Sequence, residues 1–132
     1  MSLIKALPAW LHAVADYAVG ISLIVVALAS GAEGKAVANG VVVGVVVLIV
    51  SMLTKYPLGV AKVLAFTIHS AGDYLAATLL IVAPFALDFY SSDKGLAVFY
   101  IVAGIAVLAV SLITNYQYSD KRDWNKAVPA TA

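Results

Sequence analysis

The stretch IKALPAWLHAVADY, residues 4–17, recurs as AKVLAFTIHSAGDY, residues 61–74, with Lys, Leu, His, Asp and Tyr in register. The match continues, because DYAVGISLIVVALA from Asp16 aligns with DYLAATLLIVAPFA from Asp73. Each copy therefore begins a long apolar run with a histidine and an aspartate four residues apart. The chain contains an internal repeat, and the repeat carries ionisable side chains into apolar sequence.

The second half of each repeat also matches. GKAVANGVVVGVVVLIVSMLTKY from Gly34 aligns with KGLAVFYIVAGIAVLAVSLITNY from Lys94. The alignment pairs Gly44 with Gly104, Ser51 with Ser111 and Tyr56 with Tyr116. A repeat of two apolar runs predicts a helical hairpin that returns to its starting side, so both copies insert with one orientation around a pseudo-twofold axis. We predict hairpins at residues 1–57 and 58–117 and a polar tail at 118–132.

The composition indicates a membrane protein. Of 132 residues, 64% are hydrophobic and 11% charged, whereas soluble domains are about half apolar and a quarter charged. A transmembrane helix needs about 20 mostly apolar residues. Four stretches qualify, at roughly Pro8 to Ser30, Ala36 to Thr54, Val63 to Leu87 and Gly95 to Asn115. The predicted fold is all-α, a four-helix transmembrane bundle of two tandem parallel hairpins.

The cations predict the orientation. One side of a four-pass topology carries six of them and the other side carries Lys35 and Lys94. The six are Lys5, Lys55, Lys62, Lys121, Arg122 and Lys126. Positive residues favour the cytoplasmic side, so both termini are predicted to be cytoplasmic. Membrane lipid is the predicted partner, and the net charge of +1 gives no indication of nucleic acid. The absence of cysteine excludes disulfides and thiolate ligands.

The repeated histidines and aspartates predict a single cluster. Residues four apart share a helix face, and ionisable groups inside a membrane face the bundle interior. If the first and third helices are central neighbours, His12, Asp16, His69 and Asp73 meet. Counted at about 1.5 Å per residue from Lys62, His69 lies about 10 Å and Asp73 about 16 Å deep.

Four interpretations of this cluster are open. Two imidazoles and two carboxylates suit tetrahedral Zn²⁺ or an open Fe²⁺ or Mn²⁺ site. The cluster could instead be a polar staple that fixes helix register. A noncovalent haem with both histidines as axial ligands is less favoured, with Lys5 and Lys62 placed for its propionates. A proton or ion relay is the fourth interpretation, and an enzyme is favoured less than a binding or structural protein.

Two further features bear on packing. Gly40 and Gly44 form a GxxxG pair that could dimerise two copies, although packing within the chain is favoured. Tyr17 and Tyr74 follow the aspartates and could hydrogen-bond to the cluster, although interior packing is the simpler expectation.

The sequence resembles the SPW repeat family of small bacterial membrane proteins. The resemblance rests on HSAGDYLAATLLIVAPFALDFYSSD, on the linker TKYPLGVAKV and on a histidine and aspartate opening each repeat. It implies the two-hairpin architecture and the inner (cytoplasmic) membrane of a bacterium, and no catalytic role. Where the Ser-Pro-Trp motif would stand, this chain has Ala83, Pro84 and Phe85.

In the tail, Trp124 is predicted to lie at the membrane interface.

Overall fold

The computed structural model describes residues 2–116, which form four helices and no strand. The helices are α1 (Ala9–Ala29), α2 (Gly34–Leu53), α3 (Phe66–Ala86) and α4 (Lys94–Ile113). Each is long and apolar enough to cross a bilayer. The predicted all-α four-helix bundle is confirmed. The predictions for Trp124 and for Lys121, Arg122 and Lys126 fall outside the described residues.

The third helix begins later than predicted, so the rise to His69 and Asp73 is counted from Phe66. Lys62 has a left-handed backbone with φ of 47°, and the chain is extended at Ala65 before α3 begins at Phe66. Since only residues from Phe66 onward rise as a helix, His69 lies about 4.5 Å and Asp73 about 10 Å beyond the helix start. The depths counted from Lys62 assumed a helix from that residue, and the depth of the cluster stays a prediction.

Small residues let the two helices of each hairpin approach closely. A Cβ added to Gly44 would lie 2.7 Å from the carbonyl oxygen of Gly20, across the α1–α2 contact. At the matching α3–α4 contact, a Cβ on Gly104 would lie 2.8 Å from the carbonyl oxygen of Ala77. Close backbone approach through glycine and alanine is how membrane helices gain packing without a hydrophobic driving force between them.

Between hairpins, α1 borders α4 and α2 borders α3. Helices α1 and α3 are therefore diagonally opposite, rather than the adjacent pair that the sequence led us to expect. They still face each other across the centre of the bundle, and the side chains of His12 and Asp73 span the gap at 3.1 Å. The predicted meeting of the two polar faces is correct, although the helix order is different.

Two backbone seams join the hairpins at the end of the bundle where α1 and α3 begin. Leu64 donates its N–H to Leu53 and accepts from the N–H of Lys55, at 2.8 Å each. Leu7 pairs in the same way with Ile113 and Asn115, at 2.8 and 2.9 Å. The segment before each first helix therefore pairs with the end of the second helix of the other hairpin. One seam contains the linker between the two hairpins. The turn in that linker needs Gly59, because a Cβ there would collide with the carbonyl oxygen of Thr54.

The other end of the bundle is closed by apolar packing. A buried cluster of ten residues fills it. Its members are Leu23, Ala27, Ala36, Val43, Leu80, Ala83, Phe89, Leu96, Ala97 and Tyr100. Tyr100 lies over Gly40, where a Cβ would overlap the phenol oxygen, and donates a hydrogen bond to the carbonyl of Ala36 at 2.6 Å. Gly40 and Gly44 thus pack within the chain, and dimerisation through them stays a prediction.

Candidate metal centre

Four buried side chains form a closed ring at the centre of the bundle. His12 and His69 are 0% and 1% exposed, and Asp16 and Asp73 are each 6% exposed. Nε2 of His12 lies 3.3 Å from Asp16 Oδ1 and 3.1 Å from Asp73 Oδ2. Nε2 of His69 lies 3.0 Å from Asp16 Oδ2 and 3.1 Å from Asp73 Oδ1. Each imidazole therefore contacts both carboxylates, and each carboxylate uses both of its oxygens.

The ring brings together all four residues that the sequence predicted. Their ligand atoms all lie within 4.8 Å of one another. The helix spacing places each histidine one turn before its aspartate on the same face, and the diagonal arrangement of α1 and α3 turns the two faces toward each other. The predicted cluster is confirmed as a group that could hold a metal ion.

The outer nitrogen of each histidine is held by a threonine of the opposite hairpin. His12 Nδ1 lies 2.7 Å from Thr114 Oγ1, at the end of α4. His69 Nδ1 lies 2.7 Å from Thr54 Oγ1, at the end of α2. Both threonines are fully buried and both belong to the backbone seams. The seams therefore fix the orientation of both imidazole rings.

Hydroxyl groups donate to the carboxylates. Tyr56 OH donates to Asp16 Oδ2 at 3.0 Å, and Ser111 Oγ donates to Asp73 Oδ2 at 3.3 Å. Their repeat counterparts, Tyr116 OH and Ser51 Oγ, are buried and have no hydrogen-bond partner within residues 2–116. Burial, with the neighbouring Asp16 carboxylate, raises the pKa of Tyr56, so its phenol stays protonated and able to donate.

For Tyr17 the structure agrees with the simpler expectation of a satisfied hydroxyl away from the cluster, and the expectation for Tyr74 stays a prediction. Tyr17 OH donates to the carbonyl of Leu58 at 2.9 Å. Tyr56 and Tyr116, which do lie at the site, were visible in the sequence as a matched pair at the ends of the two repeats. Thr54 and Thr114 form a second such pair. Their role could not be predicted, because the seams determine that the chain after α2 and α4 turns back toward the cluster.

An aromatic layer covers the ring at the near end of the bundle. Phe66, Tyr56 and Tyr116 are at most 3% exposed. The Phe66 centroid lies 4.6 Å from that of Tyr116 and 5.2 Å from that of Tyr56. Phe66 also meets both imidazoles edge-on, at 5.1 Å for His12 and 5.7 Å for His69. This layer separates the ring from the linkers.

The two lysines proposed as cofactor-binding residues lie in the segments before α1 and α3. Lys62 Nζ donates to the carbonyls of Tyr56 and Pro57, at 2.6 and 3.4 Å, and its partial burial lowers its pKa. Lys5 is exposed on the N-terminal segment. Their assignment to a haem stays a prediction.

Comparisons of the chain with family models, with curated proteins and with solved structures gave no significant match. The resemblance to the SPW repeat family therefore stays a prediction, and the function is inferred from the residues of the site.

Proposed function

We propose that this chain is an integral membrane protein that binds one divalent transition-metal ion through His12, Asp16, His69 and Asp73. The observation that carries the proposal is the convergence of both Nε2 atoms on both carboxylates in a buried ring. His69 Nε2 supports it, because among the described residues this buried nitrogen has no hydrogen-bond partner, and carboxylate oxygens lie at 3.0 and 3.1 Å from it.

The distances in the ring suit coordination. Bonds of about 2.0 to 2.1 Å in a tetrahedral zinc site put neighbouring ligand atoms about 3.3 Å apart. The four Nε2–carboxylate distances are 3.0 to 3.3 Å. The ligand atoms all lie within 4.8 Å of one another, so side-chain shifts of up to about 1.5 Å would bring the wider pairs to the separations of a tetrahedral site. Imidazole with carboxylate is a donor set that accepts Zn²⁺, Fe²⁺ or Mn²⁺.

Charge also favours a divalent ion. Two carboxylates buried among apolar helices need compensation, because an unpaired charge in such surroundings is costly. A dication balances them and leaves a neutral centre. The site also has the outer contacts typical of metal centres, in which histidine ligands hold a partner through the second nitrogen and ligating carboxylates accept hydrogen bonds.

A haem suits the site less well. The imidazole centroids are 5.5 Å apart, and a macrocycle between them would have to occupy the space where Asp16 and Asp73 lie within 3.3 Å of the Nε2 atoms. Translocation is also disfavoured, since the apolar cluster that contains Leu23, Leu80 and Tyr100 fills the bundle beyond the ring. A relay needs polar groups or water along its length.

A polar staple is the second candidate, and one observation favours it. The distances of 3.0 to 3.3 Å are also those of ion pairs, so two imidazolium groups would neutralise the two carboxylates without a metal. Such a ring would hold α1 against α3 across the diagonal. The two candidates differ in what occupies the centre, protons or a metal ion, and metal content therefore separates them.

We further propose a bacterial cytoplasmic membrane, with the metal centre at the cytoplasmic end of the bundle. Lys5, Lys55 and Lys62 lie at that end, whereas Lys35 lies in the first turn of α2 and Lys94 begins α4 at the other end. The positive-inside rule favours this orientation. Reporter fusions within residues 91–94 and after residue 132 check it, and an external C-terminus would reverse it.

The test of metal binding is elemental analysis and an absorption spectrum of the protein purified in detergent without added metal. We expect one equivalent of a transition metal and no Soret band. As a matched control, Asp88→Asn with Asp93→Asn removes two carboxylates from the α3–α4 loop and should leave the metal content unchanged. Metal-free protein that also fails to take up Zn²⁺, Mn²⁺ or anaerobic Fe²⁺ would favour the staple, and a Soret band would favour haem.

A further inference from the structure

The hydroxyl groups of Thr54 and Thr114 each donate a hydrogen bond to a carbonyl in the last turn of a helix. The last carbonyls of a helix lack an intrahelical N–H partner. At the end of α2, the Thr54 N–H donates to Ser51 O, and the Thr54 hydroxyl donates to Val50 O at 2.7 Å. At the end of α4, the Thr114 hydroxyl donates to Val110 O at 2.6 Å. Because a carbonyl oxygen can only accept, each threonine has committed its single proton to the backbone.

This commitment fixes the histidine tautomer. Each threonine oxygen has a second short contact, 2.7 Å to Nδ1 of His12 or His69. With its proton already donated, the oxygen can only accept there, so Nδ1 carries the hydrogen. A neutral imidazole has one N–H, and the lone pair is then on Nε2. Nε2 is the atom that faces the carboxylates in both histidines.

We propose, building on the metal-binding function above, that Thr54 and Thr114 are positioning residues that select Nε2 of His69 and His12 as the metal-binding nitrogens. Each threonine reaches the histidine of the opposite hairpin, so the ligand set is complete only when both seams are closed. One seam is the covalent linker, and the other is the noncovalent pairing of Leu7 with Thr114. Metal affinity should therefore report on the docking of the two hairpins as well as on the ligands.

The first experiment compares Thr54→Val and Thr114→Val with the serine variants at the same positions. Valine keeps the shape and removes the acceptor, whereas serine keeps the hydroxyl. Thr78→Val is the matched control, because Thr78 makes the same back-bond, to Tyr74 O at 2.8 Å, without a histidine. Using Co²⁺ and Zn²⁺ as probes in detergent, we expect each valine variant to lose about 10- to 100-fold in affinity. Serine should restore most of it, and Thr78→Val should bind like the wild type.

A second experiment is independent of affinity and of variant folding. Nitrogen-15 NMR of the histidines in metal-free wild-type protein should show a hydrogen on Nδ1 of both rings. Added Zn²⁺ should then shift the Nε2 resonances while Nδ1 remains protonated. An Nδ1 without hydrogen in either ring, or valine variants that bind as tightly as the wild type, would overturn the assignment. Wild-type protein that binds no metal would defeat the proposed function instead, and its Nδ1 resonances would still test the tautomer.

Discussion

The two hairpins match at the histidine–threonine contacts of the ring and differ at two pairs of buried positions. Each histidine–threonine contact is 2.7 Å long. Phe66 in the second hairpin corresponds to Ala9 in the first, within one buried cluster. Tyr100 corresponds to Gly40 and lies over it. Two side chains related by a twofold axis compete for the same volume when they lie on it. One large and one small residue fill that volume, whereas two copies of either would clash or leave a cavity.

The repeat therefore keeps the chemistry of the ring in both halves but differs in packing. The proposed metal site would use its ligands in equivalent pairs. Buried residues that share one space must differ in size because close-packed space can be occupied only once. Substitutions at the ring are expected to have the largest effects, through loss of a proposed ligand, and substitutions at buried packing positions the smallest, through changes in stability.

The largest effect is expected from the histidines, and it tests their equivalence directly. His12→Ala and His69→Ala each remove one of four ligands and should lower metal affinity by more than the roughly 100-fold that loss of an outer partner can cost. The two losses should agree within a few-fold, as measured by Zn²⁺ competition titration. If one histidine proved dispensable, the ring would not be the ligand set.

The paired aspartates separate metal binding from the staple. The double change of Asp16→Asn and Asp73→Asn keeps hydrogen-bonding groups but removes both anionic ligands. We expect a folded bundle that retains no metal, because two neutral amides neither coordinate a dication well nor balance its charge. Elemental analysis and thermal unfolding with and without Zn²⁺ measure both properties. Wild-type metal content in the double variant would end the four-ligand proposal.

Exchanging the large residue Phe66 with its small repeat counterpart Ala9 tests whether the two positions share one buried space. Phe66→Ala should cost about 3 to 5 kcal/mol through the cavity it leaves, and Ala9→Phe should cost about 1 to 3 kcal/mol through overpacking. Since both positions border the same space, the double exchange should cost clearly less than the sum. Denaturation of the wild type, the two single variants and the double variant in one detergent gives the coupling between their free energies of unfolding. Strict additivity would show that the two positions do not share one buried space.

The smallest effect is expected at the far end of the bundle. Gly40→Ala should cost about 1 to 3 kcal/mol, because its Cβ would overlap the Tyr100 phenol oxygen and lie 2.8 Å from the Cβ of Ala27. Tyr100→Phe removes that oxygen and should relieve part of the cost when the two changes are combined. The metal affinity of both variants should stay at the wild-type value, since this contact lies in the apolar cluster away from the ring. Unfolding measurements and Zn²⁺ titration check the two statements.

Much of the candidate site could be read from the sequence, and the missing part has one cause. His12, Asp16, His69 and Asp73 were identifiable because ionisable residues repeated inside apolar runs are conspicuous and have to face inward. Thr54, Thr114 and Tyr56 were not assigned to the site, because they come after the helices, where no periodicity predicts direction. The left-handed backbone at Lys62 and the close turn at Gly59 belong to the seam that positions Thr54, and the pairing with Leu7 positions Thr114.

The sequence by itself determined four helices long and apolar enough to cross a membrane, the internal repeat and the presence of one histidine–aspartate pair in each copy. Hydropathy and repeat spacing are properties of the chain as a line, and they persist whatever the helices pack against. Only the tertiary structure decided that α1 and α3 lie diagonally, that threonines of opposite hairpins contact the imidazoles and that Phe66 and Ala9 lie in one buried cluster. These features depend on which backbone groups meet at the two seams and on which side chain takes a space that only one can occupy.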